Sequence, residues 1–161
     1  MYIKDILLLG MILTYGYTIY NVNNYYKETD SSISSIIKDS ECNSKVLTSM
    51  CVMGVFTIIY ELLRYNILSF VSILLLLTGI YGVIKYDYTL QIHFFFCFIV
   101  FISILIFMYN NCYLKKNIFL FLLLYLQEIM GALTFLENNI INMEIYLLGN
   151  FALFYIYLHF L

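Results

Sequence analysis

The chain has 161 residues, of which 63% are apolar, 19% aromatic and 11% charged, with mean hydropathy +0.90 and a formal charge of −2. A soluble domain carries about 25% charged and 45–50% apolar residues, so this composition excludes an ordinary soluble globule, a disordered chain and a disulfide-framed mini-domain. Eight Lys and Arg against ten Asp and Glu also exclude a nucleic-acid surface, which needs clustered cations.

What remains is an all-α, polytopic membrane protein. A spanning helix needs about 20 mainly apolar residues to cross a hydrocarbon core about 30 Å thick. Polar breaks divide the chain into six expected spans, at 3–20, 46–63, 67–84, 88–109, 118–135 and 145–161, forming a single six-transmembrane-helix bundle. A membrane barrel would need alternating polar lumen residues, which the runs at 74–77 and 94–96 lack. The sequence has no Pro, no Trp, two Ala and one Arg, against 17 Tyr and 14 Phe. The depleted residues use GC-rich codons and the enriched ones AT-rich codons, so the aromatic excess reads as a product of an AT-rich genome.

The first span follows Lys4 and Asp5, and no small-x-small cleavage site appears before Tyr20, so it is expected to be retained. Its small-residue face is Gly10, Thr14 and Thr18. The loop at 21–45 is polar and acidic; Ile33, Ile36 and Ile37 have helical spacing there and suit a short turn on the membrane surface. In the second span Met50, Gly54, Thr57, Glu61 and Arg64 recur at i+3 or i+4. That packing face ends in a carboxylate and a guanidinium, expected as an ion pair near the headgroups. The third span carries Ser69, Ser72, Gly79 and Gly82. Such residues let membrane helices approach closely.

His93 and Cys97 stand one turn apart early in the fourth span. Two ligands do not make a metal site, so His93 is expected to bond the turn at 85–87 or a neighbouring helix. In the fifth span Glu128 sits eleven residues past Asn117, roughly 16 Å deep. A charge at that depth costs about 2.5–3.5 kcal/mol on insertion scales, so Glu128 is expected to face the bundle beside Gly131 and Ala132. Gln127 then points about 100° away. The sixth span offers Gly149 and Ala152, with His159 at its far end.

Cys42 and Cys112 fall on opposite sides of the membrane in this topology, and Cys51 and Cys97 lie within spans, so no disulfide is expected. No grouping of nucleophile, base and metal ligands suggests an enzyme, and neither cofactor nor metal is implied. Six spans place both termini on one side. With the termini inside, Lys4, Arg64, Lys115 and Lys116 are inner, and Lys27, Lys38, Lys45 and Lys85 are outer. The count is even, but the compact pair Lys115–Lys116 at a span end favours cytosolic termini.

Several of these positions are matched in a known family. Arg64-Tyr65 ends the second span, and Gly79 precedes the turn Lys85-Tyr86-Asp87. His93 opens the fourth, with Cys97 four residues on and Phe101 eight on, and Glu144 opens the last span. In these features the chain resembles the damage-regulated autophagy modulator (DRAM) family, six-span proteins related to Sfk-type membrane proteins. That family's Pro-Pro-Glu motif has only Glu41 as a counterpart, and its Trp after the last-span acid is Ile145 here. The resemblance implies a non-enzymatic endomembrane protein, lysosomal or ER/Golgi, that modulates autophagy or lipid handling by binding lipids, other membrane proteins or a second copy. The residues themselves leave open a small proton or ion conductor, or a structural envelope or organelle component, organised around Glu128.

Overall fold

The computed structural model describes residues 2–134 and 140–161. The helices are α1 (Ile3–Tyr25), α2 (Ile33–Ile37), α3 (Ser40–Arg64), α4 (Ile67–Lys85), α5 (Gln91–Lys115), α6 (Ile118–Leu133) and α7 (Ile141–His159). Long apolar runs uninterrupted by proline favour this outcome, because an α-helix satisfies its own backbone polar groups. Polar side chains start four of the helices: Ser32, Asp39, Asn66 and Asn117 each accept from backbone amides of the first turn.

Two hairpins share one device. Tyr65 and Lys116 close α3 and α5 in the left-handed region, at φ 55° and φ 50°, and each is followed by an asparagine that caps the next helix. Two connecting residues therefore reverse the chain, and α4 and α6 run antiparallel to α3 and α5.

Among the described residues, five helices, α1, α3, α4, α5 and α7, are long and apolar enough to cross a membrane. The described part of α6 has 16 residues, or about 24 Å, which is short of a full hydrocarbon core. The expected end of this span at 135, and the first residues of the break at 136–144, lie outside the described residues.

The most extensive packing is between α4 and α5, then between α1 and α3. The small residues of α4 explain the first contact: Ser69, Ser72, Gly79 and Gly82 are all buried. A Cβ on Gly82 would stand 2.2 Å from the Phe96 ring, so only glycine admits that ring. The face expected on α3 is also the buried one, with Gly54, Thr57 and Glu61 inside. On α7 the packing residues are instead Phe154, Tyr155 and Leu158. Gly149 is exposed with nothing within 4 Å of where a Cβ would stand, which corrects the small-residue face expected there.

The larger apolar cluster joins α1 and α3 through α7 around Phe107 and Phe154. A smaller one lies at the end opposite the termini. There Ile36 and Ile37 of α2 are buried against Cys42, Val46, Ile84 and Ile141. So α2 closes that end of the bundle rather than lying on the membrane surface: its two isoleucines find a dry site on the helix ends. Cys112 belongs to the larger cluster and Cys42 to the smaller.

Candidate functional site

The residues singled out by sequence occupy three places: one end of the bundle, the other end, and the outer face of α6. The first is built on α3. Glu61 is fully buried, and Arg64, one turn on, donates Nη1 to its two oxygens at 3.0 and 3.3 Å. The Tyr155 hydroxyl on α7 donates to Glu61 Oε1. Arg64 Nη2 donates to Asn111 Oδ1 at 2.6 Å, and Asn111 Nδ2 donates to Ser69 Oγ at 3.0 Å. The guanidinium also lies over the Phe107 ring, 5.9 Å from its centroid. Four helices thus meet on one neutral ion pair. Buried charge is tolerable only when paired and hydrogen-bonded in this way.

The expected ion pair therefore forms at the end of α3, and its carboxylate is buried inside the bundle, with α4, α5 and α7 supplying the surrounding partners. Beside it the Tyr60 hydroxyl lies 2.8 Å from His159 Nδ1, and His159 Nε2 lies 3.0 Å from Asp5 Oδ1. The two ends of the chain are therefore tied together at this end. Sequence reading missed Asn111, Tyr155 and Asp5 as partners; the one available signal was Ser69 on the small-residue face of α4. Tyr65 is 90% exposed, so the Arg64-Tyr65 pair is split: the arginine points in and the tyrosine serves the turn.

At the opposite end His93 is buried, with Nδ1 3.1 Å from the Tyr86 carbonyl and Nε2 3.1 Å from Ser34 Oγ. A carbonyl only accepts, so Nδ1 donates to Tyr86, while Nε2 and the Ser34 hydroxyl share the second bond. Asp87, in the turn between α4 and α5, is held below the usual carboxylate range by the backbone amide of Thr89. Glu144 Oε2 accepts from the Ile33 amide at 2.6 Å, and the Ile140 amide donates to the Ser31 carbonyl at 3.0 Å. Histidine and glutamate thus clamp the start of α2 from two sides. Glu144→Ala leaves the Ile33 amide without its acceptor, and amide exchange over 31–37 is expected to quicken about tenfold. Unchanged protection there would mean that the clamp contributes nothing.

Glu128 is the main correction. It does not face the bundle. Gln127 does: it is fully buried, and its Oε1 accepts from Asn150 Nδ2 of α7 at 2.7 Å. Glu128 is half-buried on the outer side of α6, where Tyr109 of α5 donates to its Oε1. An amide pair on α6 and α7 fixes the rotation of α6, and the acid one residue on is carried outward. Glu128 lines a crevice of about 330 Å³ with Tyr109, Phe121, Leu124 and Tyr125. Among the described residues, no three of His, Cys, Asp and Glu are grouped to hold a metal ion.

By the length and composition of its helices, the chain belongs to the class of helical integral membrane proteins. Comparison with family models, curated proteins and solved structures finds no match.

Proposed function

We propose that this chain is a non-catalytic, six-span membrane protein that acts by lateral recognition of a lipid or protein partner, through the outer face of α5 and α6. The observation that carries this reading is the half-buried carboxyl of Glu128 in an apolar crevice between those helices. An ionisable group inside a span is costly unless something engages it, and here that something approaches from the bilayer side. Glu61, a carboxylate inside the bundle, is already committed to Arg64 and Tyr155. In this reading α6 is the sixth crossing and both termini are cytosolic. The DRAM-like resemblance adds an endomembrane setting and a role in autophagy or lipid handling, to be tested by localising the tagged chain.

The competing reading makes Glu128 the centre of a proton or ion pathway. Purified chain in liposomes with an internal pH dye separates the two. Lateral recognition predicts no proton flux from the native chain and none from Glu128→Gln. A flux that Glu128→Gln abolishes overturns it.

A further inference from the structure

The outer face of α6 has a repeat of its own. Ile118, Phe121, Leu122, Tyr125 and Ile129 are exposed, and Glu128 is half-buried among them. These positions step by three and four residues through 118, 121/122, 125 and 128/129, the spacing of a helix–helix seam. The opposite face, with Leu123 and Gln127, is buried in the bundle. The bundle therefore uses one side of α6 and leaves a second seam turned to the bilayer.

This seam carries an unmatched donor and an unmatched acceptor. Glu128 Oε1 takes the Tyr109 proton, but among the described residues no donor reaches its second oxygen. The Tyr125 phenol, one turn away and 61% exposed, has no acceptor among them either. In hydrocarbon neither lack is made good by water.

We propose that a second copy of this chain covers this face, α6 against α6 about a two-fold axis along the membrane normal, so that Tyr125 of each copy donates to Glu128 of the other. The inference rests on the lateral reading above and names its partner. A two-fold contact is self-complementary: each copy supplies what the other lacks, and both pairs form together. Copies inserted in the same direction hold equal residues at equal depth. The remaining offset between positions 125 and 128 is three residues, about 4.5 Å, which a tyrosine side chain spans. A lipid hydroxyl would satisfy the carboxyl and leave the phenol unmatched, so the symmetric partner answers both.

The test is cysteine cross-linking in liposomes at high lipid-to-protein ratio. Leu122→Cys is made in a Cys51→Ser background, since Cys51 is exposed. Leu75→Cys, exposed on α4, serves as the control face. The expected result is a disulfide-linked dimer from Leu122→Cys and monomer from Leu75→Cys. Tyr125→Phe removes both symmetric bonds and lowers the dimer association constant about tenfold, at the energy typical of interhelical hydrogen bonds. Because the Tyr125 hydroxyl has no hydrogen-bond partner among the described residues, this variant leaves their packing intact. Monomer throughout, equal cross-linking on both faces, or an unchanged association constant in Tyr125→Phe each overturns the dimer. The lateral reading falls separately, on proton flux: a monomer without flux refutes the dimer alone.

Discussion

Arg64→Ala is expected to destabilise the folded bundle by about 3–5 kcal/mol, the cost typical of removing one partner from a buried ion pair. The variant strands Glu61, which is fully buried and among the described residues then keeps only the Tyr155 hydroxyl as a donor. It also strips Asn111 Oδ1 of its 2.6 Å bond from Nη2. Most of that loss reflects the orphaned carboxylate rather than the worth of the pair. The double variant Glu61→Leu, Arg64→Met should therefore recover much of the stability, since apolar residues of similar volume often match a buried pair. Denaturant unfolding in detergent micelles, followed by circular dichroism, measures both. A single-variant loss below about 1 kcal/mol would mean that Glu61 is solvated, as an exposed pair is. A double variant no better than Arg64→Ala would mean that the pair holds the four helices in register.

The same cluster marks what the sequence made legible. On α3 the spacing of Met50, Gly54, Thr57, Glu61 and Arg64 identifies the inner face, and Ser69, Ser72, Gly79 and Gly82 identify that of α4. Small and polar residues contrast with the Leu and Ile around them, so helical phase can be read. On α6 that contrast is missing. Exposed Leu122 and Ile129 are as apolar as buried Leu123 and Leu124, because lipid and core are alike to a leucine. Phase then turns on Gln127 against Glu128, and the higher insertion cost of a charge points to the wrong one. What decides it is Asn150, on another helix, which only the three-dimensional arrangement brings to Gln127. The site on α3 was half legible for a related reason: Glu61 and Arg64 share a helix, whereas Asn111 and Tyr155 come from 47 and 94 residues away. The closing role of α2 depends on Ile84 and Ile141, equally remote in sequence.

Alanine at three glycines should give a graded series that separates close approach from mere helix content. At Gly82 the added Cβ would fall 2.2 Å from Cγ and Cδ1 of Phe96. That is the root of the ring, so a small χ2 rotation does not clear it. The ring is also held flat against Tyr86, with centroids 5.5 Å apart and planes at 6°. The α4–α5 contact must open, at the cost of about 1–3 kcal/mol that overpacking imposes. At Gly131 the Cβ meets Phe101 at 2.3 Å, but at Cζ, the far end of the ring, which swings aside more cheaply. Gly131→Ala should therefore lose less than Gly82→Ala. At Gly149 nothing lies within 4 Å, and alanine there gains about 0.5–1 kcal/mol from helix propensity. Unfolding midpoints in detergent should rank Gly149→Ala above native, with Gly131→Ala and then Gly82→Ala below. A destabilising Gly149→Ala would place a close neighbour on that face of α7, and with it a second lateral contact besides the α6 seam.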